Sequence, residues 1–276
     1  MQTFNLAGIV PVAAPELDFN MPWHDSLMPI GKNYLAVERS VLECAYAGCE
    51  SIWIVCNNSV QPLIRKRIGD YVQDPVWINR KYEKFRNNFR KRIAVYYVPV
   101  SVHDQGHKDS LGWSALHGCY IANKVPKKIS KKLCPDMFYI SFPYGVYDVR
   151  MLKKIRKRIS SMEGVSLSHN NKTVADGEYL GFTIPWDVAK KLRSSVWAKI
   201  KDNEQLPIDE RYNIRDLSLA DIYSSLSKND KIEIAEYYNI DNWQSYCEYM
   251  GSDTQIKRCP NPILLRGYTS YGLGKD

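Results

Sequence analysis

No apolar run in this chain approaches the roughly 18 residues that a membrane span needs, so no membrane partner is expected. The opening Met1-Gln2-Thr3-Phe4-Asn5 lacks a basic stretch leading into an apolar one, which argues against a secretory signal. Cys-x-x-Cys pairs are absent too. Cys44, Cys49, Cys56, Cys119, Cys134, Cys247 and Cys259 are scattered, and their number is odd. That pattern suits buried free thiols in a reducing, cytoplasmic setting rather than a disulfide framework. There is no Gly-x-Ser-x-Gly elbow, no Walker loop and no Cys–His nucleophile pairing, so hydrolase and kinase chemistry has nothing to stand on. Internal repeats and low-complexity segments are missing as well.

What is present is an ordinary globular composition, 45% apolar and 25% charged over 276 residues. That length can bury a substantial core in one large α/β domain or two small ones. The expected division is a single domain over residues 1–255 and an extended tail over 256–276. The formal charge of +8 comes mainly from clusters at 80–92, 124–132 and 150–158. Such clusters suit nucleic acid, a nucleotide or an acidic protein surface, and equally a solvated helix face.

Apolar runs bounded by turn residues predict strands at 6–12, 51–56, 93–98 and 137–142. Helical patterns fall between them, at 34–48, 61–71, 114–123 and 149–160. Further on, strands are expected at 179–184 and 232–237. Helices are expected at 187–199, at 218–226 with Ser218 as N-cap, and at 242–250, with a loop at 202–207. Strands alternating with helices predict an α/β fold, a mainly parallel central sheet with helices on both faces. Ligands in such a sheet bind beyond the C-terminal strand ends. The expected cleft is therefore lined by Val12 to Pro15, Asn57, Gly112 and the Pro143-Tyr144 turn.

The order Gly8-Ile9-Val10-Pro11-Val12-Ala13-Ala14, then Met21 to Gly31, a helix, and Ser51-Ile52-Trp53-Ile54-Val55-Cys56 resembles the opening of the sugar-nucleotidyltransferase family. These are pyrophosphorylases that join a nucleoside triphosphate to a sugar phosphate, and the resemblance implies their Rossmann-like, GT-A-like fold. The family's first loop is glycine-rich, carries an arginine, and leads to a Pro-Lys pair before Leu-Leu-Pro. Here Ser26-Leu27-Met28-Pro29 and Gly31 fit the end of that pattern. The loop itself holds Ala13-Ala14-Pro15-Glu16, and Asp25 stands where the lysine would fall, reversing the charge offered to a triphosphate. Asn57-Asn58 resembles the turn after the family's second strand, and Leu111 to Leu116 its Leu-Gly-Thr-Ala motif. Phe138 to Phe142 resembles the strand that leads to a metal-binding aspartate. Tyr144 sits in that aspartate's place, with Asp148 four residues on. Gly181-Phe182 is similar to a glycine-aromatic strand on the sugar side. Ile240 to Tyr246 resembles Asp-x-x-Thr-Pro-Glu-Asp-Tyr, where Asp241 matches the second metal ligand.

The resemblance thus implies nucleotide binding by Val12, Ala13, Ala14, Asp25, Asn57, Gly112 and Tyr144. It implies Mg²⁺ held by Asp148 and Asp241, with Gly181 on the sugar side. The chain is also similar to proteins of tailed phages that infect marine cyanobacteria, which would place it in the host cytoplasm or in a virion. His24, in the candidate loop, fits either a phosphate contact or a turn cap. His103, His107 and His117 fit either a transition-metal site or loop positions. Tyrosines beside basic residues, as in Arg80-Lys81-Tyr82, fit base stacking or ordinary packing.

Three functions follow. The first is a Mg²⁺-dependent nucleotidyltransferase acting on a nucleoside triphosphate and a sugar or small-alcohol phosphate. The second is the same fold without turnover, binding proteins as a structural element, for example in a phage particle. The third is a nucleic-acid-associated protein working through the basic clusters.

Overall fold

The computed structural model describes residues 4–14, 17, 19–78, 92–100, 104, 110–161 and 163–260. Its strands are β1 (Leu6–Pro11), β2 (Pro29–Gly31), β3 (Tyr34–Leu35), β4 (Ser51–Cys56), β5 (Tyr71–Gln73) and β6 (Arg92–Pro99). They continue as β7 (Met137–Ile140), β8 (Gly145–Val146), β9 (Val165–Ser168), β10 (Phe182–Pro185), β11 (Asp230–Glu233) and β12 (Tyr238–Asn239). The helices are α1 (Ala36–Ala47), α2 (Gln61–Ile68), α3 (Pro75–Ile78), α4 (Leu111–Lys127) and α5 (Leu152–Ile159), then α6 (Trp186–Gln205), α7 (Leu219–Tyr223) and α8 (Trp243–Gly251).

Eight strands form one sheet in the order β11-β9-β10-β7-β1-β4-β6-β5. The four strands expected at its centre, β7, β1, β4 and β6, are mutually parallel. Only β10 and β5 run against the rest. β1, β7 and almost all of β4 are buried, as a parallel sheet covered on both sides requires. Successive residues of β1 show the two layers. Gly8 lies against Cys44 of α1 and Cys49, while Ile9 lies against Gly118 of α4. A β-carbon at Gly118 would stand 2.7 Å from Ile9 and Val55, so this glycine lets α4 settle close on the sheet.

Several boundaries differ from expectation. Tyr34–Leu35 pairs with β2 as a short strand, and α1 starts only at Ala36. α2 stops at Ile68 because Gly69 takes φ +88°, and Tyr71–Gln73 turns back as the antiparallel edge strand β5. α4 begins three residues before the expected 114, with Ser110 Oγ capping the Trp113 amide at 3.2 Å. α6 runs on through residues expected to be a loop, and β9 had no expectation at all. The strand expected at 232–237 is β11, shifted to 230–233. Ser218 does cap α7, accepting from the Asp221 amide. The Arg80-Lys81-Tyr82 cluster and residues 261–276 of the expected tail lie outside the described residues.

Candidate functional site

The loops after the parallel strands converge beyond the C-terminal edge of the sheet. Ala14 and Leu17 from the loop after β1, Leu111 at the head of α4 and Tyr144 after β7 form one side of a cleft. Tyr179, Arg215, Asp216, Leu217, Ser218 and Leu219 complete it, around a volume of about 210 Å³. The cleft therefore stands where the α/β topology places ligands.

The loop after β1 is closed by its own hydrogen bonds. The Val12 and Ala13 amides both donate to the Val55 carbonyl, at 2.8 and 2.9 Å. The Ala13 carbonyl accepts from the Ser114 hydroxyl. Further along, the Leu17 amide donates to Asp25 Oδ2 at 2.5 Å, and Asp25 is buried. An aspartate carboxylate accepts a backbone amide as a lysine cannot, so at this position the side chain braces the loop. His24 serves as a cap: its Nδ1 accepts from the Ser26 amide at 3.2 Å.

Between α1 and β7 lies a buried charge network. Arg39 and Glu43, one turn apart on α1, are fully enclosed and paired at 2.7 Å. Glu43 also accepts from the Tyr139 hydroxyl at 2.7 Å and the Ser141 hydroxyl at 2.5 Å, while Arg39 donates to the Phe142 carbonyl. Buried charges persist only with such partners. The Glu43 charge and burial both push the Tyr139 phenol far up, burial most. Gly181 belongs to this network: a β-carbon there would overlap Glu43 Oε1 and the Tyr139 hydroxyl.

The remaining expected residues divide. Tyr144 is on the cleft wall, edge-on to Tyr179 at 5.7 Å. Asp241 stands close by, because β12 pairs with β8 and the Ile240 amide donates to the Tyr144 carbonyl at 2.9 Å. Burial, then the charges of Asp241 and Glu178, push the Tyr179 phenol up to about 12. The Asp241 oxygens accept from Asn239 at 3.2 Å and Asn242 at 3.0 Å. Asp148 leaves the β8–β12 ribbon at the other end, caps the turn at Val149–Met151, and forms a two-bond pair with Arg150 at 2.7 and 2.8 Å. Gly112 is in the first turn of α4, with Ile222 filling the space a β-carbon would need and Tyr223 donating to its carbonyl at 3.0 Å. Asn57 closes β4 and receives the Val60 and Gln61 amides on its carbonyl; its buried Oδ1 has no partner among the described residues.

The described residues do not by themselves assemble a metal site. Asp148 is paired with Arg150, Asp241 is bonded to its neighbours Asn239 and Asn242, and the position beside Asp241 holds a phenol. Among the described residues no three His, Cys, Asp or Glu side chains gather closely enough to hold an ion. His117 sits within α4, its pKa lowered by burial first and by Arg193 second, while His103 and His107 lie outside the described residues.

Sequence reasoning missed Leu17, Leu111, Tyr179 and the whole 215–219 wall. Arg215 is the cation of that wall, on a turn whose Arg215 amide is capped by Asn213 at 3.2 Å. Its signal was Asn213 ahead of Ile214-Arg215-Asp216 and the Ser218 cap, two helix-start cues in six residues.

No protein-family model and no curated protein matches the chain. Among solved structures, it is similar to a UDP-glucose pyrophosphorylase complexed with UDP-glucose, at 14% identity and a TM-score of 0.51, over 90% of this chain and 97% of that one. It is similar to a putative glucose-1-phosphate thymidylyltransferase from Bacillus anthracis in complex with a sucrose, at 9% identity and 0.52, over 90% and 94%. A UTP-bound UGPase from Acinetobacter baumannii matches at 13% and 0.50, over 90% and 92%. At these identities the likeness concerns architecture, and the chain has the α/β fold of the sugar-nucleotide pyrophosphorylases.

Proposed function

We propose that this chain binds a nucleotide or nucleotide-sugar in the cleft, with Arg215 facing its phosphates, and does not carry out metal-dependent nucleotidyl transfer. The observation that carries the second half is the described start of the loop after β1. Its Val12 and Ala13 amides are already bonded to Val55, so they are not offered to a triphosphate. Asp25 is bonded to Leu17, and no lysine replaces it. One guanidinium on the far wall favours an anion but falls short of the fixed charge that turnover of a triphosphate needs. The size agrees: about 210 Å³ lies below the ~300–1,000 Å³ of sites enclosing whole ligands, so part of a nucleotide-sugar would remain outside. A binding or structural role, in a phage particle or elsewhere, needs no more than this.

Asp241 beside Tyr144 supports the opposing reading, an active transferase in which the nucleotide itself completes the metal shell. The two readings separate in one pair of assays. Binding without turnover predicts a thermal shift with UTP, dTTP or UDP-glucose that needs no Mg²⁺, and no pyrophosphate from triphosphate plus sugar phosphates. Pyrophosphate release would establish the transferase. No shift with any nucleotide at millimolar concentration would remove the binding reading.

A further inference from the structure

α4 connects the cleft to the opposite edge of the sheet. Leu111 at its head lines the cleft, and its last turn comes just before the start of β7. Seventeen residues at ~1.5 Å each put about 25 Å between the two ends. The chain then stays in tight turns, with Lys128 bonded to Val125, Ile129 and Ser130 to Pro126, and a further short helix at Lys131–Leu133. Val125 lies in the last turn of α4, Ile129 in the turns after it and Leu133 in the short helix beyond, with Ser130 extended at φ −158° between them. Val125, Ile129 and Leu133 are exposed, by 43%, 78% and 50%. Lys124 stands just before them and Lys127, Lys128, Lys131 and Lys132 between them, all exposed. No acidic residue occurs from Ser110 to Pro135. None of the five lysines forms an ion pair among the described residues. The basic stretch of α5 differs: Arg156 pairs with Asp74 and Arg158 with Asp230. The adjoining start of α6 adds Lys190 and Lys191 against a single Asp187.

We propose that the exposed stretch from Lys124 to Leu133, with its three aliphatic residues and five lysines, is a docking surface for an anionic lipid bilayer, leaving the cleft turned to solvent at the other end of α4. Lysines beside a lipid surface strengthen adsorption by attraction to acidic headgroups, and aliphatic side chains add apolar area that enters the headgroup–acyl boundary. The two features must occur together for this use, and here a pair of lysines separates each aliphatic residue from the next. A nucleic acid is the poorer match. The stretch holds no arginine to fork onto phosphates and no aromatic ring to stack on a base. Three exposed aliphatic side chains would also gain nothing from a sugar–phosphate backbone.

This inference is independent of what the cleft binds. The test is flotation of the full chain with phosphatidylcholine vesicles, with and without phosphatidylserine. Retention is expected on the anionic vesicles alone and should fall with added salt. Ile129→Ser should weaken it roughly tenfold through lost apolar contact, and Lys127→Glu with Lys128→Glu should weaken it more. Both variants should melt as the parent does, since the side chains are exposed. No retention, equal retention on neutral vesicles, or retention untouched by both variants would overturn the proposal. So would tighter binding to a DNA duplex that Ile129→Ser leaves intact.

Discussion

The two walls of the cleft face each other and are built on opposite principles. The loop after β1 is turned inward: its first two amides bond to Val55, Asp25 bonds to Leu17, and His24 caps its own turn. The wall from Arg215 to Leu219 is a pair of capped turns that brings a guanidinium to the cleft. In a fold whose resemblance assigns phosphate handling to the first loop, charge is offered from the other side. Position on the fold and chemical provision have separated, and the differences between the walls can be measured.

The largest effect should come from the buried network that joins α1 to β7. Glu43→Ala leaves Arg39 charged, buried and without its carboxylate, which should cost about 3–5 kcal/mol in a urea or guanidinium melt. A loss under about 1 kcal/mol would mean that water reaches Arg39. Gly181→Ala probes the same network from the residue just before β10. It should cost about 1–3 kcal/mol by overpacking against Glu43 and Tyr139. Gly112→Ala should cost less, because the atom it meets is the flexible end of Ile222.

Asp25→Asn sharpens the contrast between the walls. If the carboxylate braces the first loop, losing its charge-assisted bond to Leu17 should cost about 1–2 kcal/mol and leave nucleotide-induced shifts in place. Arg215→Ala tests the other wall. Nucleotide affinity should fall about tenfold, the loss of one charge-assisted contact. Equal losses of affinity in both variants would merge the walls into one phosphate site.

The strands at the centre of the sheet were legible because each is a short apolar run between turn residues. Leu6 to Pro11 and Ser51 to Cys56 needed no tertiary knowledge. β9 was not, because Val165-Ser166-Leu167-Ser168 alternates over only four residues, and its pairing with β10 and β11 is a long-range fact. The candidate site was read from the resemblance, which supplied positions in order: Tyr144 and Asp241 do come together. It had no means of showing that Gly181 faces Glu43, or that Asp148 is taken by Arg150. Those depend on where side chains turn, and a single sequence does not encode that locally. Arg215 was hidden for a different reason. A lone arginine between isoleucine and aspartate carries no motif, and only the cleft gives it meaning.

The smallest expected effect tests whether Asp241 belongs to the cleft at all. Tyr179 lines the cleft, and its phenol titrates near 12, raised first by burial and then by the negative charges of Asp241 and Glu178. A phenol whose folded pKa lies above its unfolded value is held neutral by the fold. That stabilisation is complete below the unfolded value of about 10 and is lost as pH rises through 12. Asp241→Asn removes one of the two charges while leaving the burial. The Tyr179 titration should then move down, yet stay above that of a free tyrosine, when followed by phenolate absorbance against a Tyr179→Phe blank. The direction is fixed by electrostatics, since a neutral neighbour no longer opposes the phenolate. An unchanged titration would separate Asp241 from Tyr179. The cleft would then have Arg215 and Asp216 as its charged groups, and the last feature favouring a metal-assisted transferase would be gone.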